Sequence, residues 1–141
     1  MQVIRGAAIV CALVAAAALP TTLRGSASAT PVTFTAAQVS AGSALFQEKC
    51  SACHGTQLEG GAGPALSGPN FKTLSTKVKA NVSDVFTYMS TNMPMNAPAS
   101  LTHDQYVKIM AFILSRNGYR SGGAAMTFGS ASTSTAPVVR P

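Results

Sequence analysis

The chain has 141 residues, with ten Lys and Arg against four Asp and Glu, for a net charge of +6. That length suits one small domain, and the basic residues are not interleaved with aromatics as on a nucleic-acid surface. With no tryptophan and few charges, a core this small commonly needs a covalent or metal staple.

The chain opens with Arg5 in a short positive region, followed by an apolar run from Gly6 to Leu19. Ala27-Ser28-Ala29 then has the form of a signal-peptidase site, so residues 1–29 read as a signal peptide and the chain as exported. The run is shorter than the roughly 20 residues that span a bilayer. Membrane association is expected only if this segment stays uncleaved. Cys11 leaves with it, as do Arg5 and Arg24, which lowers the net charge from +6 to +4. Cys50 and Cys53 remain, in an oxidising compartment where a plain disulfide is one reading.

Helical periodicity starts after Thr35, with Gln38 three residues on in a capping-box pattern. Val39, Gly42, Leu45, Phe46 and Cys50 recur at helical spacing. A glycine-rich loop follows, then a polar stretch over 72–82 that carries Lys72, Lys77 and Lys79 and reads as loop. Ser83 or Asp84 starts a second helix, with Val85, Phe86, Tyr88 and Met89 as apolar surface. The prolines of NMPMNAPAS end it. Thr102 caps the last helix, again with a glutamine, Gln105, three residues on. Tyr106, Ile109, Met110 and Ile113 form its buried face, and Gly118 stops it. Residues 121–141 are Ser, Thr, Gly, Ala and Pro in the main and predict a disordered tail. No strand alternation or repeat is visible. The fold class is all-α.

The stretch CSACH, residues 50–54, carries the chemistry. It lies at the end of a helix, where the backbone dipole opposes a reactive thiolate, which weakens a thiol oxidoreductase using the CxxC. A structural zinc needs four ligands, and only His103 remains as a further histidine. A disulfide leaves His54 without a role. Positions three and four apart share a helix face, so Cys50 and Cys53 can reach two points on one edge of a flat macrocycle, with His54 over its centre. That is the pattern of c-type haem attachment, with two thioethers and an imidazole to iron. Disulfide and thiol chemistry stay open beside it.

With Gly42 and Phe46 ahead of CSACHG, then GGAGPAL, NMP and SLTHDQYVKIMAFILSRNG, the chain resembles the small class I cytochromes c of the bacterial periplasm. The resemblance covers about residues 38–118 and implies a cytochrome c domain over 30–120, wrapped around one covalently held haem c. It implies that the first and last helices cross at Gly42 and Phe46 against Ile109 and Phe112. It implies an axial methionine from the loop before the last helix. Met93, followed by Pro94, matches, with Met95 as its rival. Met89 and Met110 read as core and Met126 as part of the tail. The carbonyl of Pro64 is implied as the partner of the histidine's second nitrogen, and Leu66, Phe71 and Ile113 as walls of the haem site.

The function this implies is a periplasmic electron carrier, not an enzyme by itself. Its redox partners would be a periplasmic dehydrogenase of the quinoprotein type, a terminal oxidase, or both. A haem enzyme or gas sensor with an open iron position is the alternative, as is thiol chemistry at the CxxC. The lysines at 72, 77 and 79 could steer an acidic partner.

Overall fold

The computed structural model describes residues 31–141. The expected signal peptide, 1–29, lies outside the described residues. Six helices follow in chain order: α1 (Ala36–Lys49), α2 (Ser51–His54), α3 (Gly68–Lys77), α4 (Val82–Asn92), α5 (His103–Arg116) and α6 (Phe128–Thr133). The described residues contain no strand, only two isolated antiparallel bridges, Phe34 with Gly122 and Asn81 with Pro137. The fold is all-α, as the sequence indicates. Among the described residues no helix is long and apolar enough to cross a membrane.

Helices α1 and α5 form the central pair. Both open on the capping boxes read from the sequence. The Thr35 side chain accepts from the Gln38 amide while Gln38 accepts from the Thr35 amide, and Thr102 and Gln105 repeat the arrangement. Each box satisfies two amides that a helix start would otherwise leave unpaired. Helix α5 is buried over most of its circumference: Tyr106, Ile109, Met110 and Ile113 are covered as expected, and so are Val107, Ala111, Phe112 and Leu114. A helix that is apolar on nearly every side belongs at the centre of a domain. The two helices cross at Gly42, where a Cβ would overlap the backbone carbonyl of Lys108. One turn on, the rings of Phe46 and Phe112 pack with centroids 5.5 Å apart and planes tilted by 54°.

Three expectations need correction. The polar stretch over 72–82 is in large part helical: α3 runs through it to Lys77. Only Phe71 and Ser75, one turn apart, are buried on α3, whereas Leu74 is 55 % exposed and Val78 beyond it 61 % exposed. So narrow a face gives almost no periodic signal. Helix α4 starts at Val82, ahead of Ser83 and Asp84, because Asn81 caps it. The Asn81 side chain accepts from the Asp84 amide at 2.9 Å, and the Asp84 carboxylate accepts from the Asn81 amide at 3.0 Å.

The third correction is the larger one. Residues 121–141 are not disordered. They form a strap that carries α6 and runs back along the body, with Met126, Ala131, Ala136 and Val138 buried. Their backbone does the work that periodic apolar side chains do elsewhere. The Gly122 amide donates to the Phe34 carbonyl at 2.9 Å, the Val138 amide to Ala80 at 3.1 Å and the Arg140 amide to Asn117 at 2.9 Å. Gln38 donates to the Met126 carbonyl at 2.8 Å and accepts from its amide at 3.0 Å. The domain therefore extends past residue 120.

The helix crossing gives a test with a reversed sign. In an exposed helix interior, Gly→Ala stabilises by about 0.5–1 kcal/mol. Gly42→Ala is expected to destabilise by roughly 1–3 kcal/mol, the range for overpacking, since the obstacle is backbone. Denaturant unfolding at equilibrium measures it.

Candidate functional site

Helix α1 ends at Lys49, and Cys50 makes the corner. The Cys50 amide still donates to Phe46 at 2.9 Å, while its carbonyl accepts from the amides of Cys53 at 3.2 Å and His54 at 3.0 Å. CSACH is thus a single tight turn, continued as the short helix α2 and closed by Gly55 at φ +77°. Both thiols are free. Cys50 packs half-buried against the core, and Cys53 faces solvent.

The glycine-rich loop folds straight back over this turn. The Gly60 amide donates to the His54 carbonyl and the Gly63 amide to the Cys53 carbonyl, each at 2.8 Å. A Cβ on Gly63 would stand 2.9 Å from His54 Cε1, so this residue leaves space for the imidazole ring. His54 is buried, and its Nδ1 lies 2.8 Å from the Pro64 carbonyl. A carbonyl can only accept, so Nδ1 carries the proton and Nε2 presents its lone pair. That is the tautomer a metal-ligating histidine requires, and the carbonyl fixes the orientation of the ring.

The loop is held in turn by Asn117 at the end of α5, a residue the sequence reading did not single out. Its Nδ2 donates to the carbonyls of Leu66 at 2.8 Å and Ile113 at 2.9 Å. Asn117 is buried. An Asn just before the helix-stopping Gly118 was the available signal. Leu66, Phe71 and Ile113, the expected walls, all belong to the core or pack on it.

The two methionines of the NMPMN stretch are treated differently. Met93 caps the end of α4 in an extended conformation and packs against the core. Its carbonyl accepts from the hydroxyl of Tyr106 at 2.6 Å, and Tyr106 is itself only 2 % exposed. Met95 is 75 % exposed. Met89 and Met110 are core, as expected, and Met126 joins them instead of lying in a loose tail. His103 is exposed at the start of α5, where its ring stacks on Phe128 with centroids 3.8 Å apart.

The donor set discriminates between chemistries. Burial, and secondarily the neighbouring Cys53, push the Cys50 thiol up to about 11. At neutral pH this thiol stays protonated, which opposes a nucleophilic CxxC pair. Among the described residues no three His, Cys, Asp or Glu side chains gather as a metal cluster, so a structural zinc lacks its ligands. Two free thiols beside an imidazole with an available Nε2 do fit haem c.

Two surface hollows lie apart from this turn. One, of about 460 Å³, is on the outer face of α4, between Asp84, Tyr88 and Asn92. The other, of about 470 Å³, lies between α3 and the strap and is lined by Lys72, Lys79 and Arg140, without Lys77 and without any acidic side chain.

Residues 37–113 match the family described as cytochrome c oxidase, cbb3-type, subunit III. The match takes in more than half of the chain, and the chain belongs to this cytochrome c family. A chain of the sulfane dehydrogenase SoxCD from Paracoccus pantotrophus has a similar structure, with a TM-score of 0.57 and 29 % sequence identity over 70 % of this chain. The similarity spans 53 % of that chain, about half its length. No curated protein matches. A cytochrome c domain implies haem c and electron transfer through it.

Replacing Asn117 by Leu is expected to destabilise the protein by roughly 1–3 kcal/mol, since two carbonyls lose their donor in a buried setting. Asn117→Asp, which cannot donate from the same position, is expected to be at least as damaging at neutral pH. Urea unfolding of the two variants checks both.

Proposed function

We propose that this chain is an exported, periplasmic electron carrier with one haem c, attached through Cys50 and Cys53 and ligated by His54 and Met93. The observation that carries the reading is the His54–Pro64 pair beside two free thiols on one turn. The haem supplies a one-electron ferric–ferrous couple. The residues do the rest. Pro64 fixes the ring of His54, Gly63 leaves it room, and the Cys50–His54 turn keeps both thiols on the same short segment. The core side chains Phe71 and Ile113 exclude water, which favours the less charged ferrous form, as does a thioether ligand.

Burial favours Met93 over Met95 as that ligand, because an exposed thioether has no packing to hold it on an iron axis. With His54 and Met93 both holding the iron, substrate would have no place on the metal, which sets this reading apart from an open-iron enzyme or sensor. The domain would then act with redox partners. A family described by an oxidase subunit and a structural relative described as a dehydrogenase support a role as a relay between a dehydrogenase and a terminal oxidase, in a larger assembly or as a free carrier. The hollow with Lys72, Lys79 and Arg140 offers an acidic partner a place to dock.

Met93→Ala is expected to abolish the near-infrared band of a ferric iron–methionine bond and to lower the reduction potential. Met95→Ala is expected to keep the band and shift the potential only slightly. The reverse pattern makes Met95 the ligand. Loss of the band in neither variant removes both residues from the iron.

A further inference from the structure

The family match ends at residue 113, so the strap 121–141 lies wholly beyond it. The strap nevertheless supplies what α4 needs in order to start. A helix begins with amides that have no partner in the preceding turn. In α4, the Val82 amide donates to the Ala136 carbonyl at 2.8 Å and the Ser83 amide to the Ser134 carbonyl at 3.0 Å. Asn81 takes the next one, from Asp84. Side chains reinforce this seam: Phe128 of α6 meets Phe86 of α4 edge-on with centroids 5.0 Å apart, and Val138 is fully buried. Helix α4 packs more extensively on α6 than on α5.

The far end of α4 is Met93, whose amide is bonded to the Met89 carbonyl at 3.0 Å. Beyond the helix, Tyr106 grips the Met93 carbonyl. The methionine is therefore carried by a helix held at its start by the strap and at its finish by Tyr106. The CSACH turn hangs on α1 and the glycine-rich loop instead.

We propose that the strap is a positioning element for the axial methionine: by fixing the start of α4 it keeps the Met93 sulfur on the iron. The inference rests on the reading of Met93 as ligand. Loosening the seam leaves the Cys50–Cys53–His54 side intact and raises the fraction of molecules in which the sulfur is off the metal. An added ligand that competes for the open position then binds in proportion to that fraction.

Cutting the chain after Arg120 would also remove the contacts to Gln38 and Asn117 and could unfold it, so the test uses two single changes at the α4 seam. Val138→Pro deletes the amide bonded to Ala80, and Phe128→Ala deletes the edge contact with Phe86 together with the stack on His103, a loss that Val138→Pro does not share. Ile109→Val, at the α1–α5 packing, serves as a control that lowers overall stability without touching the seam. Each full-length haem protein is oxidised and titrated with imidazole while the iron–methionine band is followed, and its denaturation midpoint is measured. We expect both seam variants to retain covalent haem, to bind imidazole about tenfold more tightly and to bind it faster, with Ile109→Val close to wild type. Seam variants that bind imidazole like wild type overturn the proposal, and so does an Ile109→Val protein that matches them for the same loss in midpoint. A wild-type protein without the band overturns the Met93 reading, and the strap's role with it. A wild-type band together with unresponsive seam variants overturns the strap's role alone.

Discussion

The approach of Gly42 to the Lys108 carbonyl sets the distance between α1 and α5, and the other parts of the site are hung from these two helices. At the end of α1 stands Cys50, so the depth at which α1 seats on α5 decides where the CSACH turn begins. At the end of α5 stands Asn117, which grips Leu66 and so fixes the return of the glycine-rich loop. That loop brings the Pro64 carbonyl to His54. From the first turn of α5, Tyr106 reaches Met93. A methyl group on residue 42 would push against backbone, which has no rotamer in which to yield.

The site itself depends on selective satisfaction of polar groups. His54 is buried yet keeps one nitrogen free of protein, while the other is committed to a carbonyl that cannot give a proton back. Among the described residues no fully buried side-chain nitrogen or oxygen lacks a partner. Such an arrangement suits a centre that must change charge by one electron with little movement, since rigid surroundings need little rearrangement when the charge changes. Burial has a second consequence. It keeps the Cys50 thiol protonated at neutral pH, which separates this turn from CxxC pairs built for thiolate chemistry.

Much of this was legible in the sequence wherever a residue's role is local. Thr35 with Gln38 and Thr102 with Gln105 announce their helices, because a capping box is contained in four residues. The family resemblance implied both the crossing at Gly42, where a Cβ would overlap the Lys108 carbonyl, and a role for the Pro64 carbonyl, which lies 2.8 Å from His54 Nδ1. Asn81 with Asp84 carries a local signal of the same kind, but the neighbouring Ser83 and Asp84 looked equally able to start α4. Helix α3 was hidden because just two of its side chains, Phe71 and Ser75, are buried. The strap was hidden for a different reason. It is held by backbone hydrogen bonds to Ala80, Val82, Ser83 and Asn117 and by small side chains such as Ala131 and Ala136. Neither leaves a periodic pattern, and its composition is that of disordered chains. Thr127 capping Ser130 was the one local hint.

Under the proposed function, Cys50, Cys53 and His54 together hold one haem, with both thiols spent on covalent attachment. The most direct measurement is the intact mass of the purified protein after acid–acetone extraction, which removes haem that is bound by coordination alone. The polypeptide is expected to keep the mass of one haem and to show no thiol reactive toward an alkylating reagent under denaturing conditions. A polypeptide recovered at its bare mass, with Cys50 and Cys53 both alkylated or joined in a disulfide, would contradict it.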